Sequence, residues 1–445
     1  VNRRRHAAPL VGALVGALVG ALVAVLLAPV LDPTLPGAPT LASEASPMAT
    51  PSASADVVPA AIESISPAEI PAVALVPVVG YWSADRSISL AGIRDAMRGA
   101  SKRFSRVLVA DGYRDALWAK LGPALGDGTA ASASPRRILR AVNDRKGTLG
   151  IVPASAVAPA VRALGIGDRA LFGVDRVRAL ADWPLMLPVP DEDGAGSDLA
   201  AVWTLAAAGD VNLDRDVYRQ AVRLRKGADF PWDGGMARIT SRRCCNEFGG
   251  PEITARRAGQ AGAVRRLLEG ADIAIVNHEG PAPDDFRWNP HGLRFSFDPA
   301  LEVGLRRAGI DLVSLANNHI RDAGSDGVID SIANVGKVGM KVVGAGRDAR
   351  AARAPVCLDR VGQHICFLAY NDVDPVDDAT ASRPGAARFK LAQARRDIGR
   401  ARRDGADVVV VVPHWGIEYT PMRTRDQRRK AAGMVRAGAT VILGA

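Results

Sequence analysis

The chain has 445 residues and a formal net charge of +10, a length that suits about two or three domains. It is rich in alanine, glycine, valine and arginine and poor in aromatic residues. The charge suits an acidic partner, such as an anionic polymer or a lipid surface. No nucleic-acid motif occurs and no basic stripe is interleaved with aromatics, so no nucleic-acid partner is expected.

In chain order, Arg3, Arg4 and Arg5 come first, followed by an uncharged run from Ala7 to Leu31. At about 1.5 Å per helical residue this run can cross a hydrocarbon core of roughly 30 Å. It is long for a cleaved signal, whose core is typically about 7–15 residues. Residues 1–31 are therefore read as a membrane anchor, with secretion after signal cleavage as the alternative. The upstream arginines keep the N-terminus cytoplasmic and place everything downstream outside the cell membrane. Residues 32–72, crowded with Pro, Ala, Ser and Thr, read as a tether.

Residues 73–190 alternate apolar segments such as "RVLVA" with amphipathic ones such as "SPRRILRAVN". They read as an accessory α/β domain, and "LGIVPASAVAPAVRALGIGD" weakly resembles half of a periplasmic solute-binding protein. Ser134 before Pro135 marks a helix start. Residues 191–200 are a polar linker. From 201 to 445 the pattern is β-α-β-α, with strands expected at 202–208, 272–277, 311–316, 341–344, 364–370, 406–412 and 440–443. Helices are expected from Asp298-Pro299 and over about 391–403 and 425–437. Apolar strands separated by helices imply an α/β fold with the sheet faces covered.

Two features lie outside this frame. "FPWDGG" and "RCCNEFGG" form a long insertion read as a covering loop, with Trp232, Asp233 and Arg238 able to reach a substrate. Four cysteines in an exported chain permit disulfides. The turn near Gly362 sets Cys357 opposite Cys366, as a cross-strand disulfide or as two thiols. The absence of C-x-x-C argues against a zinc ribbon.

Polar residues gather where the strands end. "LAAAGDVN" delivers Asp210 and Asn212, and "IAIVNHEG" delivers Asn277, His278 and Glu279. "LVSLANNHIRDAG" delivers Asn317, Asn318, His319 and Asp322, and "VVVVVPHWGIEY" delivers His414, Trp415 and Glu418. Taken singly, each motif is an ordinary turn or helix cap. Together, at successive strand ends, they point to a metal site, because ligands in α/β sheets bind beyond the carboxyl ends of the strands. His278, beside Glu279 but aimed at the opposite face, is a spare ligand or a partner for a backbone carbonyl.

In this order "GDVNLDRD", "NHEGP", "LANNHIRDAG", "GAGRDARAARAP", "PHWGIEY" and "AGATVILGA" resemble the CapA family over residues 203–445. That is the poly-γ-glutamate capsule synthesis group of the calcineurin-like metallophosphoesterase superfamily. The resemblance implies a four-layer α/β/β/α sandwich with two divalent ions (manganese, iron or zinc) at one edge. It makes Asp210, Glu279, Asn318 and His414 the metal ligands, with Glu279 bridging, and His319 the catalytic residue. Asn212, Asn277, Asn317, Asp322, Trp415 and Glu418 would surround them, touching substrate or steadying the ligands. Asn212 stands where the superfamily has an Asp-x-His imidazole. The chain also stops at Ala445, where a Gly-His-x-His should follow, so it is read as C-terminally incomplete and two ions are expected to bind poorly.

The expected function is synthesis, export or anchoring of an anionic capsule polymer such as poly-γ-glutamate, through a metal-assisted hydrolase site. One alternative is a degenerate fold that scaffolds a membrane polymer synthase or holds the polymer. Another is a solute-binding receptor acting through residues 73–190, against which stands the lack of charged or aromatic constellations there.

Overall fold

The computed structural model describes residues 22–26, 72–122, 130–158, 160–188, 202–232, 237–244, 251–257, 262–288, 290, 292–417 and 423–445. The fold is mixed α/β. The tether, the linker at 191–200, Asp233 and Glu418 lie outside the described residues.

Of the expected membrane span only Leu22–Leu26 is described, and it is a strand rather than a helical turn. It runs antiparallel to Trp203–Val211, with Leu22 opposite Ala207. A β-rich apolar segment can satisfy its backbone on an open sheet edge as well as in a helix, and the edge of Trp203–Val211 offers those partners. No helix among the described residues is long and apolar enough to cross a membrane.

The first unit centres on the strand Ala72–Gly80, flanked by Thr148–Pro153, Val161–Ala163 and Met186–Pro188. Arg106–Ala110 and Ala130–Ala133 extend the sheet beyond Thr148–Pro153. Its core is a cluster of its own, built on Leu75, Val107, Leu108, Ile138 and Ile151. Buried Trp183 donates its indole N–H to Leu75 O at 2.9 Å, so its one polar atom is satisfied.

The second unit holds two sheets. In the first, Trp203–Val211, Ile273–His278, Leu312–Ser314 and Lys341–Val343 are parallel neighbours in that order. In the second, Gln363–Asn371, Val408–His414 and Val441–Ile442 are parallel, with Val356–Arg360 antiparallel at the edge. Alternate residues part company, as the period of two requires. Leu205, Ile273 and Ile275 share one cluster with Ile365, Phe367, Val408 and Val410 of the other sheet. Ala206, Ala274 and Val276 instead pack with Leu305, Val328 and Val335. Leu368, Val409 and Val411 pack with Ala394, Ile398, Ala401 and Met434. The helices explain themselves similarly: Leu391–Arg403 buries Ala394, Ile398 and Ala401, one face of a 3.6-residue period. Arg425–Arg436 opens on a capping box between Thr424 and Gln427.

Trp232 is buried in the core of this unit, so it is a packing residue rather than a reach toward substrate. The insertion after it contains an antiparallel pair, Ala237–Cys244 with Pro251–Arg257. Cys357 and Cys366 face one another across Val356–Arg360 and Gln363–Asn371 and are disulfide-bonded. The two units meet at Arg176, whose guanidinium is almost fully buried. It donates to Val202 O at 3.2 Å and Thr204 Oγ1 at 3.3 Å and pairs with Asp272 at 3.3 Å.

Candidate metal centre

Parallel strands put their carboxyl ends on one edge, and there the predicted residues meet. The ladder between Trp203–Val211 and Ile273–His278 slips between Ala208 and Asp210, leaving Gly209 as the extra residue of a bulge. Such a bulge re-aims the side chain that follows it, here Asp210. Glu279 continues from Ile273–His278, its amide donating to Val211 O at 3.0 Å. The chain must then turn against an aromatic wall. A Cβ at Gly280 would lie 2.9 Å from the Phe297 ring, so only glycine permits this approach.

Ligand atoms of Asp210, Glu279 and His414 lie within 4.8 Å of one another. His414 Nδ1 is 3.8 Å from Asp210 Oδ1, and its Nε2 is 3.7 Å from Glu279 Oε1. His414 Nε2 also donates to Asn318 Oδ1 at 2.8 Å. Asp210, Glu279, Asn318 and His414, from four separate strand ends, thus converge. Oxygen and imidazole donors of this kind suit zinc, manganese or iron, with bonds of about 2.0–2.2 Å. With one ligand atom from each residue, all within 4.8 Å, the set is close enough to meet on one such ion after small movements. At this edge the described residues supply one close set of donors; the other close group, Cys357, His364 and Cys366, has its two sulfurs joined in a disulfide.

Buried amides hold the donors in place. Asn277 Nδ2 donates to Asp210 Oδ1 at 2.7 Å and stands 3.3 Å from His414 Nδ1. Asn317 Nδ2 donates to His278 O at 2.8 Å and to Asn277 Oδ1 at 3.3 Å, while its Oδ1 accepts from His319 N. The run Leu312–Ala316 therefore stops on two amides because one fastens the turn to the neighbouring strand and the next faces the cluster. His319 sits beside the cluster with Nδ1 2.8 Å from Asp322 Oδ2, which also accepts from Phe295 N. Burial works against charging this imidazole, but the hydrogen bond and charge of Asp322 prevail and raise its pKa.

Two predicted residues are engaged locally. Asn212 Oδ1 accepts from Asp214 N at 2.9 Å. Trp415 packs near Phe389, and its amide donates to Ala445 O. Glu418 is outside the described residues. His278, buried completely, has Nδ1 2.9 Å from Gly280 O and Nε2 2.8 Å from Glu302 Oε1. Burial disfavours its charged form, yet Glu302 outweighs this and raises its pKa.

Sequence reasoning missed Glu302 and Asp377. Asp377 accepts from Arg321 N at 3.0 Å, beside the His319–Asp322 pair. Its burial, reinforced by the Asp322 charge, pushes its pKa up to about 6. It comes from "DPVDDAT", a loop without periodicity, and only its pairing of carboxylates with a turn proline hinted at anything beyond a cap.

Fold and site together define an α/β protein with an acid–imidazole cluster at the carboxyl edge of its parallel strands. Residues 204–445 match the family described as Bacterial capsule synthesis protein PGA_cap, and the chain belongs to that family. The capsule biosynthesis protein CapA of Bacillus anthracis is 31% identical over 189 residues, which is 41% of this chain and 46% of that protein. The PGA biosynthesis protein CapA of Bacillus subtilis (strain 168) is 32% identical over 185 residues, 41% of this chain and 48% of that protein. The chain spans about half the length of these curated relatives. A Haemophilus influenzae NAD nucleotidase structure is similar at a TM-score of 0.28 and 14% identity, over 46% of this chain and 34% of that one. So low a TM-score carries no argument.

Proposed function

We propose that this protein acts in capsule synthesis as a membrane-anchored, extracytoplasmic subunit. Its site would perform metal-assisted hydrolysis or transfer on an anionic polymer such as poly-γ-glutamate or on a phosphoryl precursor. The observation that carries this reading is the convergence of Asp210, Glu279, Asn318 and His414. Three apolar clusters, one between the sheets and one outside each, support a four-layer α/β/β/α metallophosphoesterase-like arrangement. The Cys357–Cys366 disulfide suits an oxidising compartment.

In this reading Asp210, Glu279 and His414 hold a divalent ion, with Asn318 as an amide donor. Bound there, the ion would polarise a substrate oxygen and lower the pKa of a water. Asn277 steadies Asp210 and His414 from behind, as groups hydrogen-bonded to metal ligands do. His414, bonded to Asn318 Oδ1 through Nε2, would offer its other ring nitrogen, Nδ1, to an ion beside Asp210. Asp322 holds His319 by Nδ1 and leaves Nε2 to give or take a proton at the leaving oxygen. A second ion, implied by the resemblance, would need donors beyond this set.

The test is manganese-dependent hydrolysis of phosphoesters and of poly-γ-glutamate by the full chain and by His414→Ala. Turnover by the former and none by the latter is expected; equal turnover would refute the site. The second reading, a scaffold or polymer-holding subunit of a membrane synthase, is favoured by Asn212, which bonds its own loop where an imidazole would be expected. Polymer binding without turnover of either substrate would select it.

A further inference from the structure

The outer helices of the second sheet carry a feature the metal centre does not use. Leu391–Arg403 and Arg425–Arg436 pack together, and Arg395, Arg396, Arg400, Arg403, Arg425, Arg428, Arg429 and Arg436 are all exposed. A groove of about 470 Å³ lies at their junction, lined by Ala392, Arg395, Arg396, Arg403 and Ala437. Ala392 and Arg403 lie about 16 Å apart along the helix, at about 1.5 Å per residue. The floor of the groove is small and apolar and its walls are guanidinium groups. Some neighbouring cations are already spent: Arg402 donates to the carbonyls of Gly438 and Ala406, and Lys430 pairs with Asp372 and Asp426. Arg396 is held by Gln393 through one nitrogen, at 2.6 Å, which leaves the rest of its fork for a ligand.

We propose that this groove binds a linear polycarboxylate, each guanidinium taking a carboxylate in a two-pronged contact. Guanidinium groups spaced along one helix suit the repeated carboxylates of an extended polyanion. Among the described residues, no exposed aromatic side chain borders the groove to enter a headgroup layer. The helix begins at Leu391, which packs on Gly433, and just before it Phe389 contacts both Lys430 and Trp415, the neighbour of His414. The proposal rests on the polymer reading above and adds where the chain is gripped.

The experiment measures binding of poly-γ-glutamate to the full chain, to the triple variant Arg395→Gln, Arg396→Gln, Arg403→Gln, and to a charge-matched control, Arg136→Gln, Arg137→Gln, Arg140→Gln, on the first unit. Binding should weaken at least tenfold in the groove variant and less than twofold in the control, with manganese uptake unchanged in both. Equal weakening in both would mean diffuse charge alone and would overturn the groove. Unchanged binding in the groove variant overturns it while leaving the polymer reading intact. No binding by the unaltered chain overturns both. Anionic phosphatidylglycerol vesicles form a parallel arm; if the groove variant loses vesicles but keeps polymer, the face is a membrane surface and the proposal fails.

Discussion

The units of residues 72–188 and 202–445 both cover short apolar strands with helices, yet they finish those strands differently. In the first, Ala72–Gly80, Arg106–Ala110 and Thr148–Pro153 end on glycine, alanine and proline. In the second, the ends carry Asp210, Asn277, Asn317, Asn318 and His414. Among the described residues, every buried polar or charged side chain except Thr148 belongs to the second unit. Burying polar groups costs free energy unless each finds a partner. Asn277, Asn317 and His414, buried together where the strands end, are therefore the physical mark of a site.

The largest effect should come from setting the two kinds of strand end against each other. Asp210→Asn is expected to abolish measurable manganese uptake, while Asp111→Asn, at the exposed end of Arg106–Ala110, leaves it unchanged. Asn277→Ala should fall between them, weakening affinity roughly 10–100-fold as expected for a group that steadies ligands. Titration calorimetry on the three variants checks the order. Equal affinity for Asp210→Asn and the unaltered chain would erase the distinction between the units.

How much of this was legible in the sequence follows the same line. The strands of the second unit announce themselves by uninterrupted apolar runs closed by polar residues, and helix 391–403 by its spacing of Ala394, Ile398 and Ala401. Asp210, Asn318 and His414 were readable because each ends such a run. Glu302 was not, because its partner His278 is 24 residues away and nothing local ties a helix carboxylate to a strand imidazole. Asp377 was not, because it lies in a loop whose packing is decided by Arg321. Trp232 misled for the converse reason: an aromatic among glycines reads as a surface loop until the core that receives it is known. Of the uncharged run over 7–31 only Leu22–Leu26 is described, a strand whose apolar composition suits a sheet edge and a span alike.

Buried charge sharpens the comparison next. His278 and Glu302 form a fully buried pair at 2.8 Å. Glu302→Leu removes one partner and should cost about 3–5 kcal/mol, leaving the imidazole unpaired. Thr148, the first unit's buried polar residue, has an Oγ1 without a partner. Thr148→Val should be neutral or stabilise by about 1 kcal/mol. Denaturant midpoints, read by hydrogen exchange within each unit, separate the two; a costly Thr148→Val would remove the contrast.

The pH dependence of the second unit is a smaller effect with a defined sign. Burial raises Asp377 to about 6, so the native state holds its proton more tightly than the unfolded chain does. The Asp377 contribution to stability should fall as pH rises from about 4 to about 6, by up to about 3 kcal/mol, and be flat above. Asp377→Asn should remove that slope. Asp378, whose pKa burial also raises, is common to both proteins and cancels in the difference. A difference curve that stays level from pH 4 to 6 would mean the carboxylate is stabilised by neighbours after all.

The smallest effect tests the covalent clamp that only the second unit can have, since residues 72–188 contain no cysteine. The disulfide closes a loop of sequence separation 9, for which chain entropy alone suggests about 2–3 kcal/mol. Less than that is expected, because the hairpin is already restrained by five ladder pairs from Val356–Phe367 to Arg360–Gln363. Its turn places Val361 and Gly362 both at positive φ, 52° and 71°, the pattern of a tight primed turn. Valine is a poor residue there, because its branched side chain meets the backbone. Replacing both cysteines by alanine should therefore lower the second unit's stability by about 1–2 kcal/mol and leave the first unit and manganese uptake unchanged. Adding Val361→Asn should restore about 1 kcal/mol, since asparagine tolerates the left-handed turn. If Val361→Asn destabilises instead, the turn is held by something other than backbone geometry, and the hairpin's strength would have to be credited to the clamp.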